Sequence, residues 1–440
     1  MTTALAICYV LMFVLASIAF VWATGSRLFR FPFLYSTVWL AFVLTALAEF
    51  IQHGGYLYDV YDHTGVIDIT LILIPACIFG GLLGYFASPR MERRDNTYKV
   101  SSRDTRRMHR ASLVIAAMSY SAFVTLAQLG GGLTEYILYS GAYTITWEGL
   151  PVYLVFVVRF GYVAIVIQLW LWSRSKKKYH LYLALAFSII PFINIFFIFR
   201  RSEVLTIGVY FGYFVANYTK VKIGRTTAVI SVALMYLVFL IFPFLRSESG
   251  KDLTLRELLV RGFAERPTFE NSEIGSGLFR IYTSMTSGSY EYGAVFWNAF
   301  VKQFVPTGLV GADIKNALLI NQIVLTDNNF TSFKFYTSPM GFAQAYQQFW
   351  FFGCLIFVAI GAIVAKLEAN KVHGPRQEIF FVLMIPALLS AVSADLSLLV
   401  TRSITYAVLV ALCVPTLHRV SNRSPNQPII SGAPPTRPGL

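Results

Sequence analysis

Apolar residues in this chain arrive in blocks of about 17–22 with almost no charge inside them, the length that carries a helix, at 1.5 Å per residue, across a hydrocarbon core about 30 Å thick. Reading the blocks gives spans near 4–22, 32–51, 67–88, 111–130, 151–172, 181–199, 204–218, 226–245, 349–366, 379–393 and 403–417. The pattern predicts an all-α polytopic integral membrane protein of about eleven transmembrane helices. An N-terminal bundle of about eight spans occupies residues 1–245, one large, partly helical loop occupies 246–348, and about three further spans occupy 349–417. The tail over 418–440 is polar and Pro-rich and is expected to be disordered.

Composition agrees with lipid as the solvent. Of 440 residues, 56% are hydrophobic and 13% charged, against about 25% charged in an ordinary soluble domain. The net charge of +14 would raise nucleic acid as a partner in a soluble chain. Here the densest cluster is Arg90, Arg93, Arg94, Lys99, Arg103, Arg106, Arg107 and Arg110, between two apolar blocks. The positive-inside rule and the anionic cytoplasmic leaflet both favour basic residues there, so the bilayer is the expected partner and nucleic acid is not. Cys8, Cys77, Cys354 and Cys413 all fall inside apolar blocks, which predicts no disulfide framework; no zinc-type spacing is present and no metal is expected. The first block has no Lys or Arg before Arg27, so it reads as a retained span with an outward N-terminus rather than a signal peptide.

With the 89–110 loop in the cytoplasm, alternation puts Arg27 and Arg30, the Arg174–Lys178 run, Lys220, Lys222 and Arg225, Lys366, Lys371 and Arg376, and Arg419 on that side. The large loop is then extracytoplasmic and the C-terminus cytoplasmic. Arg200 and Arg201 are the exception, falling outside. Within the loop, Asp252 to Arg261 has helical spacing with an acidic first turn, and 277–290 and 292–304 mix apolar and aromatic residues, predicting a small cap on the membrane face.

Arginine is the polar type that the outer side collects: Arg200, Arg201, Arg246, Arg256, Arg261, Arg266, Arg280 and Arg402. A guanidinium stays charged and offers phosphate oxygens two parallel donors, which suits a diphosphate held without metal. Taken singly, each also fits a side chain snorkelling at the interface. Arg159 differs, standing roughly eight residues, or about 12 Å, inside the fifth span. An ionised group there costs about 2.5–3.5 kcal/mol and needs a partner or a wet cavity. Glu203, Glu49, Asp68 and Asp395 are the acidic candidates.

The stretch Phe199-Arg200-Arg201-Ser202-Glu203-Val204 opens a short span containing Gly208 and Gly212, with ten residues between Arg201 and Gly212. A second Arg, ten residues and Gly match runs from Arg266 to Gly277. After the large loop, Thr337 to Gly353 (TSPMGFAQAYQQFWFFG) leads into an apolar span. These features, with the span count and the late large loop, resemble the Wzy-type O-antigen and oligosaccharide repeat-unit polymerases over about half of the chain; such glycine spacings also arise by chance. The acidic residue that often follows the first glycine of that segment is absent, Phe342 and Ala343 standing in its place, and no catalytic carboxylate is carried over there. The resemblance implies a glycosyltransferase that moves a growing glycan from polyprenyl diphosphate to a sugar hydroxyl of the next lipid-linked repeat unit, at the outer face of a bacterial inner membrane. It also implies a flippase and a chain-length regulator as partners.

On this reading Arg201, Arg246, Arg280 and Arg402 stabilise the departing diphosphate, and Glu203 is the leading general base ahead of Glu248, Glu291 and Asp395. Arg159, Arg200, Arg266, Gly212, Gly277, Tyr336 and Tyr346 are the substrate-binding candidates. Tyr290, Tyr292, Trp297 and Trp350 are further aromatics able to stack on sugars. His53, His63, Asp59 and Asp62 match no zinc or calcium pattern. No Gly-rich phosphate loop, nucleophile elbow or dinucleotide fingerprint is present, and no cofactor is expected. Two alternatives stay open: a polyprenyl-sugar glycosyltransferase of the GT-C type, using Asp59 or Asp62, and a flippase or transporter for lipid-linked glycans.

Overall fold

The computed structural model describes residues 2–53, 59–61, 63, 65–88, 101–134, 150–196, 201–219, 221, 224–230, 273–320, 340–393 and 395–415. Among them every regular element is helical. Seven helices there are long and apolar enough to cross a membrane: Thr3–Trp22, Phe31–Gln52, Val66–Ala87, Ser102–Leu129, Tyr153–Ser175, Gly341–Asn370 and Pro375–Ser393. An eighth is formed if Lys178–Phe187 and Ile189–Ile195, bent by 47° at Ser188, count as one span. The stretches expected as spans near 204–218 and 403–417 are helical, as Arg201–Tyr218 and Ser397–Cys413, but are not among the seven. The expected span near 226–245 lies mostly outside the described residues, as do Asp252 to Arg261 and the tail.

The helices are named α1 (Thr2–Trp22), α2 (Phe31–Gln52), α3 (Val66–Ala87), α4 (Ser102–Leu129), α5 (Leu150–Val158), α6 (Gly161–Ser175), α7 (Lys178–Phe187), α8 (Ile189–Phe196) and α9 (Arg201–Tyr218). They continue as α10 (Glu273–Ser287), α11 (Ala294–Phe304), α12 (Gly341–Phe349), α13 (Cys354–Asn370), α14 (Pro375–Ser393) and α15 (Ser397–Cys413). Local chemistry sets several of the ends. Ser101 caps α4, its hydroxyl accepting from the Asp104 amide at 3.0 Å and donating to the Asp104 carboxylate at 2.7 Å, a reciprocal arrangement that satisfies the first-turn donors. At α4 this cap carries the helix about two turns beyond the apolar block, so that its arginines stand at one end of the bundle.

That end collects the paired charges. Glu378, buried at the start of α14, accepts from Trp170 Nε1 at 2.9 Å and Arg174 Nη2 at 3.0 Å, and from the Tyr218 hydroxyl. Glu368 pairs with Arg30 at 3.3 Å and Lys371 at 3.8 Å and accepts from Tyr85 at 2.6 Å. Arg376 donates to the carbonyls of Val414 and Ala411, closing the last turn of α15. Each of these cations near the hydrocarbon therefore meets an acceptor, as a low-dielectric setting requires.

Two boundaries differ from the sequence reading. Residues 341–349, expected as the end of an outer loop, form the buried helix α12, which runs through one tight turn at Trp350–Gly353 into α13. Gln344, Gln347 and Gln348 lower the hydropathy of that stretch, but all three are buried on polar partners. Likewise 394–402, expected as an outer loop, is helical from Ser397, so Arg402 stands inside α15. Helix α10, expected to lie on the membrane face, contributes Ile274, Leu278 and Ile281 to the main core and packs on α12 and α3.

The most extensive packing among the described helices joins α3 to α13. A Cβ on Gly84 would stand 2.1 Å from the Val358 carbonyl oxygen, and one on Gly361 would stand 2.0 Å from the Gly81 oxygen, the small-residue contact that substitutes for a hydrophobic driving force between helices in lipid. Gly84→Leu is expected to lower stability by about 1–3 kcal/mol or more, read as the thermal midpoint of the purified protein in detergent, with Leu83→Ala, at an exposed position of the same helix, nearly neutral.

Candidate active site

The span Tyr153–Ser175 is pinched where α5 meets α6. Around Arg159 and Phe160 the amides of Arg159, Phe160, Tyr162 and Val163 bond three residues back rather than four, tightening the turn. The Val158 carbonyl takes the Ser119 hydroxyl from α4 at 2.6 Å. Gly161 makes the approach possible, since a Cβ there would lie 2.8 Å from the Ser119 oxygen. The pinch sits about 22 Å along the helix from Arg174, at the end of the bundle opposite the paired charges.

A cavity of about 480 Å³ opens at this pinch, within the range of small-ligand sites. Its polar wall carries Arg159, Glu203 and Ser202 from the start of α9, Arg402 and Tyr406 from α15, and Lys302 from α11. Its other wall is apolar, built by Phe123 and Leu126 of α4, Phe156 of α5, and Phe187, Ile190 and Pro191 around the α7–α8 bend. Helix α11 reaches across from α15 toward α5, where the Phe304 ring meets Phe156 at 6.1 Å, so the large loop supplies part of the enclosure.

Three cations thus face one carboxylate. Glu203 accepts from the Tyr162 hydroxyl, three residues after Arg159 on the same helical face. Arg159 feels Arg402 as a like charge and Glu203, Tyr162 and Tyr406 as its other electrostatic neighbours. Among the described residues neither Arg159 nor Arg402 is in an ion pair, whereas Arg30 and Arg174 at the other end both are. Asn194, 7% exposed, also lines the cavity, with its Oδ1 lacking a partner among the described residues. Among the described residues, two guanidinium groups outside any ion pair and an unpartnered amide oxygen thus line one cavity, a lining whose chemistry suits an anion that carries hydroxyl donors.

Of the residues singled out in the sequence, the structure brings Arg159, Glu203 and Arg402 together. Arg280 lies elsewhere, in a polar network that joins α10, α12 and the turn before α11. It donates to Gln347 Oε1 at 2.8 Å, Gln347 donates to Glu291 Oε1 at 3.1 Å, and Gln348 donates to Glu291. Burial pulls the Arg280 guanidinium below its ordinary value, opposed by the carboxylates of Asp395 and Glu291. Asp395 accepts from Gln344 at 2.9 Å and from the Ser397 amide at 2.7 Å, at the start of α15. Gly212 packs on the Phe29 ring and Gly277 on Met340, while Tyr346 packs between Tyr290 and Phe351; none of the three lines the cavity. Arg200, Arg246, Arg266 and Tyr336 lie outside the described residues, as does the Arg201 side chain. Lys302, Tyr162, Tyr210 and Tyr406 were not singled out in the sequence; the signals for two of them are Tyr162 three residues after Arg159 and Tyr406 four after Arg402. Among the described residues no group of His, Cys, Asp and Glu is placed to hold a metal.

Compared with known proteins, the chain matches no family model, no curated protein and no solved structure.

The Asp395 contacts fix the start of the helix that carries Arg402. Asp395→Ala strips the Ser397 amide and the buried Gln344 amide of their acceptor, and is expected to lower stability by about 2 kcal/mol. The check is the shift in thermal midpoint, with Asp395→Asn retaining the larger part.

Proposed function

We propose that the chain polymerises polyprenyl-diphosphate-linked oligosaccharide repeat units into a surface polysaccharide at the outer face of a bacterial inner membrane. The observation that carries this reading is the pair Arg159 and Arg402, two guanidinium groups without ion pairs among the described residues, facing one cavity inside a membrane bundle. The glycosyl–diphosphate bond is already activated, and its cleavage is helped chiefly by stabilising charge that develops on the departing oxygens. Arg159 and Arg402 hold that diphosphate, with Lys302 from the cap as a third cation. Glu203, oriented by Tyr162, takes the proton of the attacking sugar hydroxyl. The apolar wall of Phe123, Leu126 and Ile190 suits the isoprenoid that adjoins the diphosphate.

The orientation follows from the charge at the other end of the bundle, which the positive-inside rule assigns to the cytoplasm. The large loop and cavity then face outward and the C-terminus inward. Arg201, Arg200, Arg246, Arg266 and Tyr336 remain candidates on sequence grounds for the mouth of the site. The packed Glu378 cluster below the cavity supports transfer at one surface over carriage of the lipid across the bilayer. A separate flippase would supply the units, and a chain-length regulator would set product size.

Arg159→Gln and Arg402→Gln are each expected to lower turnover about 100-fold or more, read as loss of the polymer ladder on a gel and accumulation of outward-facing single units. Glu203→Gln is expected to slow turnover while lipid-linked substrate still binds. Polymer of wild-type length in both arginine variants defeats the reading. The sidedness has its own check: a cysteine replacing the exposed Ser202 should react with a membrane-impermeant maleimide applied from outside, and reaction solely from the cytoplasmic side excludes this placement.

A further inference from the structure

Four tyrosines line the cavity, Tyr153, Tyr162, Tyr210 and Tyr406, and the last three have Arg159, Arg402 or Glu203 as charged neighbours. Their hydroxyls are not equivalent. Tyr162 donates to Glu203. Tyr210 donates to the Leu383 carbonyl at 3.5 Å and has the Tyr406 hydroxyl as an electrostatic neighbour. Tyr406, 4% exposed, stands one helical turn after Arg402 and has Arg402, Arg159 and Glu203 as its charged neighbours. A hydroxyl has one donor and two acceptor positions; Tyr210 directs its own proton to Leu383, and the single Tyr406 donor is left for the space that the two guanidinium groups border. A residue four positions after Arg402 shares its helix face, so an anion drawn in by Arg402 meets Tyr406 as well.

We propose that Tyr406 is a further catalytic residue, its hydroxyl donating a hydrogen bond to the diphosphate that Arg159 and Arg402 hold; this rests on the anionic reading of the cavity given above. In the transfer, the bond between the anomeric carbon and the diphosphate oxygen breaks, and its electron pair stays on the diphosphate. The acceptor hydroxyl oxygen forms the new bond to that carbon, and its proton passes to Glu203. Tyr406 keeps its own proton throughout. Its part is a neutral donor whose hydrogen bond strengthens as the diphosphate gains charge, so it favours the transition state over the bound substrate.

The experiment uses the full-length protein in lipid nanodiscs, with inorganic pyrophosphate as the probe in a calorimetric titration and lipid-linked repeat unit as substrate in a turnover assay. Tyr406→Phe, which keeps the ring and removes one oxygen, is expected to weaken pyrophosphate binding about 10-fold to 100-fold and to lower kcat more than it changes KM. Arg402→Gln should abolish binding, and Arg106→Gln, at the opposite end of the bundle, should leave it unchanged. Where the phenylalanine variant does not fold, Tyr406→His, which retains a donor, is compared with Tyr406→Leu, which does not; a binding difference of about 10-fold between these two supports the role. Pyrophosphate bound by wild type, lost in Arg402→Gln and unaltered in Tyr406→Phe overturns the role of Tyr406 and leaves the anion site standing, as do equal affinities of the histidine and leucine variants. Failure of wild type to bind pyrophosphate removes the anion site itself.

Discussion

An ionised group within hydrocarbon must be paired, wetted or used, and this constraint organises the molecule. At one end of the bundle Arg30 and Arg174 meet Glu368 and Glu378 at hydrogen-bond range or close to it, and Arg376 meets the last carbonyls of α15. At the other end Arg159 and Arg402 face an open cavity, with Glu203 already engaged by Tyr162. The same side-chain type thus fulfils two demands. Where it is paired it fixes helix ends, and where it is unpaired it requires water or an anionic guest.

The glutamine network of α12 meets a related demand, with neutral amides set between charged groups. Helix α12 is buried over nearly all of its length, and three glutamines cannot sit there without partners for their amides. Glu291 and Asp395 accept from them, Arg280 donates to one, and the Gly293 and Leu396 amides donate to the remaining oxygens. The result ties α10, α12, the turn before α11 and the start of α15 into one unit. Because α11 and α15 both line the cavity, the network fixes the placement of two helices that form its polar wall.

Much of the fold was legible in the sequence because a charge-free block of spanning length is stable almost nowhere except as a helix crossing lipid. Arg159 was legible for the converse reason, since a charge inside such a block is an anomaly, and the cavity proves to surround it. Glu203 followed from its place among the acids near the outer ends. Three things were hidden. The glutamines of α12 lowered the hydropathy of a buried helix until it read as loop, because hydropathy scores a polar group without knowing its partner. Arg402 read as a loop residue because its helix begins five residues before it, ahead of the apolar block. The surroundings of Arg280 were hidden too, since nothing in its neighbourhood along the chain reveals Gln347, Asp395 or Glu291, which arrive from other segments.

The choice of phenols around the cavity follows from the same electrostatics. Carboxylates placed where Tyr210 and Tyr406 stand would pair with Arg159 and Arg402, cancel their charge and close the site against an anion. Apolar residues there would leave two like charges facing each other with little to relieve their desolvation. A tyrosine hydroxyl avoids both outcomes, because it solvates a guanidinium without neutralising it and turns a donor toward whatever anion enters. The single carboxylate lining the cavity, Glu203, takes the Tyr162 hydroxyl and offsets part of the charge on Arg159, but three cations outnumber it. A site built this way keeps its cations charged and uncancelled until a guest of opposite sign supplies the missing partner, which couples occupancy of the cavity to the stability of the bundle around it.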